Sequence, residues 1–143
     1  MRAAILTFCL SAVVVSAQAS KNFRARLSPV ALDVAMQATV AGSGSVTATL
    51  AGTKLTINGT FDGLKSPATI AQIHKSPIAG VRGPVVADLT VSGATAGTIG
   101  GTVTLTPQQV ADLEKKRLYV QLHSEKAADG NLWGWLMPAE GKR

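Results

Sequence analysis

The residues best suited to chemistry in this chain are its two histidines, each near the end of a short alternating segment. The first segment reads Ala68-Thr69-Ile70-Ala71-Gln72-Ile73-His74, and the second reads Leu118-Tyr119-Val120-Gln121-Leu122-His123. Side chains alternate between the two faces of a strand. Ala71 and Ile73 therefore share one face, and Gln72 and His74 the other. Leu118, Val120 and Leu122 likewise oppose Tyr119, Gln121 and His123. Each segment turns an apolar face one way and a Gln-His face the other. Two imidazoles suit a borderline or soft metal, copper above all. Two ligands make a low-coordinate site, which Glu125, Asp129, Tyr119 or Met137 could complete. The competing reading is a pair of strand-end histidines hydrogen-bonded to loop backbone. Adjacent strands lie about 4.8 Å apart, so the imidazoles converge if the register sets them level.

Trp133 and Trp135 share one face of the last strand-like run. They either form an apolar platform for a partner or a sugar, or fill a core beneath a loop. Catalytic patterns are missing from the sequence. There is no Gly-x-Ser-x-Gly elbow and no glycine-rich phosphate loop before a helix. The acids are dispersed, so no carboxylate pair stands out. The expectation is a protein that binds and does not turn over a substrate. Asn58-Gly59-Thr60 fits the glycosylation sequon as a pattern.

The elements that must position these residues read as strands. Phe23, Ala25 and Leu27 alternate with Arg24 and Arg26; Val46, Ala48 and Leu50 alternate with Thr47 and Thr49. Leu55, Ile57 and Phe61 share a parity, as do Val85, Ala87, Leu89 and Val91, and then Ile99, Gly101, Val103 and Leu105. Gly42-Ser43-Gly44, Ala51-Gly52-Thr53, Asp62-Gly63, Ser92-Gly93 and Asp129-Gly130 read as turns between them. Asn58-Gly59 reads as a hairpin turn or a bulge. One helix is predicted near residues 107–116. Thr106 caps it, Pro107 opens it, and Gln109 has the capping-box spacing. Lys115, Lys116 and Arg117 then fall in its last turn, where positive charge suits the helix dipole. Seven or eight short strands with this turn spacing predict an all-β, antiparallel Greek-key β-sandwich with one short helix.

The chain has 143 residues, enough for one domain after its N-terminus is set aside. Arg2, the nearly unbroken apolar run Ala3 to Val15, and small residues around Ala17 and Ala19 read as a secretory signal peptide. The run is shorter than the roughly 20 residues a membrane span needs. Removing residues 1–19 leaves 124 residues, 20–143, as one domain. It also removes Cys9, the only cysteine, so the mature domain holds itself together without a disulfide. The net charge of +6 is scattered, apart from Lys115-Lys116-Arg117 and Lys142-Arg143, and aromatics are only 4%. That excludes the basic stripe with interleaved aromatics of a nucleic-acid binder. The mature chain is expected in the periplasm or outside the cell, with an envelope or extracellular ligand and no transmembrane segment.

In order along the chain, Phe23-x-Ala25-x-Leu27, Gln72-Ile73-His74, Gly80-x-x-Gly83-Pro84-Val85-Val86, Leu105-Thr106-Pro107, Leu118-Tyr119-Val120-x-Leu122-His123 and Gly130-x-Leu132-x-Gly134-x-Leu136 form a set. The set resembles the CHRD domain, the module named from chordin and found alone in exported bacterial proteins. The resemblance covers about residues 22–138. This sequence departs from the family pattern at Gln72, where a second histidine is common. It departs again at Trp133 and Trp135, where an arginine and a polar residue are common. A more distant resemblance is to copper/zinc superoxide dismutase, through Ile73-His74, Gly83-Pro84 and Leu122-His123-Ser124-Glu125-Lys126-Ala127-Ala128-Asp129. That resemblance implies a sandwich and copper ligation by histidine, of which only His74 and His123 carry over. With Gln72 in place of one ligand, it implies little superoxide dismutation.

Export is directly testable. Mature protein recovered from the envelope or medium is expected to begin at Ser20 on N-terminal sequencing, and an intact Met1 in that fraction would overturn the signal peptide.

Overall fold

The computed structural model describes residues 19–139. The signal peptide expected at residues 1–19 lies outside the described residues except for Ala19, and Cys9 lies outside with it. Nine strands and one α-helix follow in the order β1 (Lys21–Pro29), β2 (Ser43–Ala51), β3 (Lys54–Asp62), β4 (Ala68–Lys75), β5 (Val85–Val91), β6 (Gly97–Thr104), α1 (Pro107–Glu114), β7 (Leu118–Ser124), β8 (Ala127–Trp135) and β9 (Met137–Pro138). A short 3-10 turn, Ala35–Ala38, sits between β1 and β2.

All strand pairings are antiparallel, and eight strands close on themselves in the order β1-β2-β3-β6-β5-β4-β7-β8 and back to β1. β9 pairs beside β1 through Phe23–Pro138 and Arg24–Met137. The Greek-key expectation holds. β4, β5 and β6 are consecutive neighbours, and β7 returns to lie beside β4. The open sandwich does not hold, because the strands form a closed barrel. Two strands that change partner midway close it. β1 pairs with β2 as far as Leu27–Gly44, then with β8 at Ser28–Trp133 and Pro29–Leu132. β5 pairs with β4 from Val85 to Leu89, then with β6 at Thr90–Gly100 and Val91–Ile99. Strands that switch sheets make such corners, and closure leaves no exposed edge in the ring.

Alternation fills the inside of the ring. Phe23, Ala25 and Leu27, Val46, Ala48 and Leu50, Leu55, Ile57 and Phe61, and Ala71 and Ile73 are all buried there with Leu118, Val120, Leu122 and Leu132. Three local expectations are corrected. Asn58-Gly59 is neither turn nor bulge. It lies within β3, paired on both sides, and a side chain at Gly59 would meet the Ser45 carbonyl at 2.6 Å. Asp129-Gly130 is likewise inside β8, the turn falling at Glu125-Lys126. The helix has the predicted Thr106–Gln109 capping box but stops at Glu114, so Lys115, Lys116 and Arg117 lie beyond its last turn. Lys116 takes φ 62°, which ends the helix.

Helix α1 is anchored to the His74 strand. Leu113 enters the core, and the buried Asp112 carboxylate lies 2.9 Å from the ammonium of Lys75. Burial pushes the Asp112 carboxyl up. The hydrogen bond and charge of Lys75, with Gln108 and the charge of Arg117, outweigh that and hold it below its ordinary value. A carboxyl lowered in the folded chain adds stability above its unfolded value and loses it as pH falls through the folded one. Asp112→Asn should therefore destabilise the domain at pH 7 by about 1–3 kcal/mol in urea titrations. The gap to the parent should close as pH falls below about 3. A gap that stays constant into acid would contradict the pairing.

Candidate functional site

The site lies on the outside of the barrel, on the face of β5-β4-β7-β8 that points away from the core. Register sets its side chains in rows. His74 is opposite Tyr119, which is opposite Trp135. Gln72 is opposite Gln121, which is opposite Trp133. His123 is opposite Ile70. The two histidines are thus not level, contrary to the simplest expectation; one row separates them. Even so, their rings converge on the same face, with centroids 6.3 Å apart.

The middle row explains how. Gln72 donates through Nε2 to the Asp88 carboxylate at 2.8 Å, toward β5. Gln121 donates through Nε2 to the Asp129 carbonyl at 3.0 Å, toward β8. The two amides between the histidines are drawn to opposite sides, and the rings lean toward each other across that row.

Both histidines are held by the same device. Nδ1 of His74 lies 2.9 Å from the Gly83 carbonyl, and Nδ1 of His123 lies 2.8 Å from the Ala128 carbonyl. A carbonyl can only accept, so each Nδ1 carries a proton, and in the neutral ring the lone pair falls on Nε2. Both Nε2 atoms are buried and have no hydrogen-bond partner. Hydrogen bonding to loop backbone and metal ligation were competing expectations, yet the geometry has the first at Nδ1 and leaves Nε2 free for the second. A backbone carbonyl holding the far nitrogen is a common support for a metal-bound imidazole. His74 is only 8% exposed. Its pKa is lowered, first by burial, then by the charges of His123 and Arg82, against the raising effect of the Gly83 bond. His74 is therefore neutral, the form that ligates.

An aromatic wall backs the pair. The Tyr119 ring stacks on His74 at 5.0 Å and on Trp135 at 4.8 Å. Trp133 meets Tyr119 and Trp135 edge-on at 6.0 and 4.9 Å. Tyr119 is completely buried although it faces outward, because two segments cover this face. The loop from β4 to β5 covers it first. There Gly83 N–H donates to the Tyr119 hydroxyl at 3.0 Å, and the buried Ser76 hydroxyl donates to the carbonyls of Val81, at 2.6 Å, and Ile78. The segment from β1 to β2 is the other cover. Its Val30, Met36 and Val40 pack with Ala127 against Trp133. Both tryptophans are half-buried, so each serves as packing while keeping part of its ring outside.

The remaining expected residues separate. Glu125 is exposed in the β7–β8 turn; Asp129 offers its carbonyl while its side chain is exposed; Met137 is on β9, beside Arg24. Among the described residues no group of three His, Cys, Asp or Glu gathers. Sequence reasoning gave no role to Arg82, Gly83, Ser76, Asp88 or the Ala128 carbonyl. Arg82 lies over the Trp133 ring at 6.0 Å and donates to the Asp129 carbonyl. Gly83 had a signal in Gly83-Pro84, since only a residue without a side chain can approach a strand this closely.

A family model for the CHRD domain matches residues 23–136, and the chain belongs to that family. Domains of this family are generally extracellular or periplasmic. Searches against characterised proteins and against solved structures gave no match. No helix among the described residues is long and apolar enough to cross a membrane.

The docking of the β4–β5 loop is testable by substitution. A side chain at Gly83 would place its Cβ 1.6 Å from the Lys75 carbonyl oxygen. Gly83→Ala should cost at least about 2 kcal/mol in denaturant titrations. Tyr119→Phe removes a hydrogen bond and leaves the ring, and should cost about 1 kcal/mol. Equal, small effects would mean that the loop is not seated on the strand as described.

Proposed function

We propose that this chain is an exported, non-catalytic CHRD-domain binding protein whose ligand is a copper ion held by His74 and His123. One observation carries the reading: two buried imidazole nitrogens without partners, on rings 6.3 Å apart, each with its other nitrogen fixed by a carbonyl. An unpartnered buried acceptor costs about 1–3 kcal/mol, so two side by side call for a bridging partner, an ion or a water, and we take the ion. A metal about 2.0 Å from each ring nitrogen holds two imidazole centroids about 6 Å apart, which fits the spacing found.

Bound copper would supply Lewis acidity or one-electron chemistry. The chain's own contribution is to fix both tautomers, keep His74 neutral and wall the pair with Tyr119 and Trp135. No third His, Cys, Asp or Glu joins them among the described residues. Family membership and the N-terminal leader pattern support export.

Purified mature protein, loaded separately with copper(I) and copper(II) and desalted, should retain one equivalent of at least one of the two. His74→Ala and His123→Ala should each weaken binding by at least about 100-fold, and the double variant should retain none. Equal retention by the double variant would remove this reading and leave a binding protein of another ligand.

A further inference from the structure

We infer that the ion at this pair is monovalent: the site is built for copper(I), with silver(I) as a chemical equivalent, and against copper(II) and zinc(II). The inference rests on the reading of His74 and His123 as a metal site and names the ion that site would take.

The donor set is the first ground. Both candidate ligating atoms are imidazole nitrogens, each on a ring whose Nδ1 is held by a carbonyl, and no carboxylate or thiolate stands with them as a third ligand among the described residues. Zinc sites draw on three or four protein ligands, and copper(II) prefers tetragonal nitrogen and oxygen sets. A filled-shell monovalent ion is satisfied by two nitrogens. The residue that could have offered a third position on the same face is Gln72, and its amide is turned to Asp88.

Charge is the second ground. The nitrogens are buried, and the solvation penalty for bringing an ion out of water grows as the square of its charge, so a divalent ion pays about four times as much. No carboxylate gathers with the two rings among the described residues. Asp88 is engaged by Gln72, while Asp129 and Glu125 extend into solvent. A positive charge lies against the aromatic wall. Arg82 is held in place by the Asp129 carbonyl and the Trp133 ring, and its charge acts on His74. Its repulsion for a divalent ion is twice that for a monovalent one.

The surroundings agree. The rings of Tyr119, Trp135 and Trp133 make an apolar, polarizable wall beside the pair, and the β4–β5 loop closes over it. That environment suits a soft, weakly hydrated cation.

The test uses the mature chain under anaerobic conditions. Copper(I) is titrated against a colorimetric copper(I) chelator, and zinc(II) and copper(II) are titrated separately against chelators of their own. Copper(I) should bind at least 100-fold more tightly than zinc(II), and X-ray absorption should show two nitrogen ligands. Arg82→Gln, checked for folding by circular dichroism, should raise zinc(II) affinity several-fold more than copper(I) affinity. Zinc(II) or copper(II) bound as tightly as copper(I), or a coordination number of four, would overturn the inference and leave the metal reading standing. Failure of all three ions to bind would overturn both. An Arg82→Gln protein with an unchanged ratio of affinities would overturn the charge argument.

Discussion

Gly83 is where the outer face of this barrel is fastened. Its carbonyl accepts from His74, and its N–H donates to the Tyr119 hydroxyl. Its Cα lies so close to β4 that no side chain fits. The ends of the same loop are drawn together by Ser76, a fully buried hydroxyl bonded to the Val81 and Ile78 carbonyls. Without that fastening, Tyr119 would be a tyrosine on the wet side of a strand and His74 an ordinary surface imidazole. With it, an outward face becomes a second interior, smaller than the core and polar.

A polar interior is costly unless its groups are paired. Most of this one is paired with main chain: Gln121 to Asp129, His123 to Ala128, Tyr119 to Gly83. The accounting fails at a few atoms, among them the Asn131 amide oxygen on β8. The Nε2 atoms of both histidines lack partners, and so does the Trp135 indole nitrogen, in the same aromatic cluster. A fold that satisfies the Nδ1 atoms so carefully and leaves the Nε2 atoms open has the asymmetry of a ligand set.

Much of this was legible in the sequence. Period-two alternation assigned Ala71 to His74 in β4 and Leu118 to His123 in β7 to their faces, because a slip of one residue would have turned Gln72 and His74 inward; the register shift between Ala68 and Ile70 breaks the pattern and puts Ala68 in the core. The capping box marked the start of α1, since the Thr106–Gln109 exchange is local. What could not be read depends on partners far along the chain. The closure of the barrel follows from β1 and β5 changing neighbours midway, which no local pattern records. Asn58-Gly59 carries a turn signature, but the glycine answers a close approach by β2. The lean of the histidines across an intervening row follows from side-chain hydrogen bonds to Asp88 and Asp129, invisible to register arguments alone.

That intervening row also gives the departures from the family pattern a physical sense. A histidine at position 72 would sit between the two others and add a third nitrogen. Gln72 instead reaches sideways to β5, as Gln121 reaches to β8, and the lane between the two rings stays clear. Trp133 and Trp135 replace polar groups with apolar surface, and the positive charge on this face comes from Arg82, laid over Trp133 from the β4–β5 loop. The substitutions act in one direction. Together they leave the unpartnered nitrogens of His74 and His123 beside an aromatic wall. On the copper reading proposed above, the chemistry of the site would be set by how little it offers.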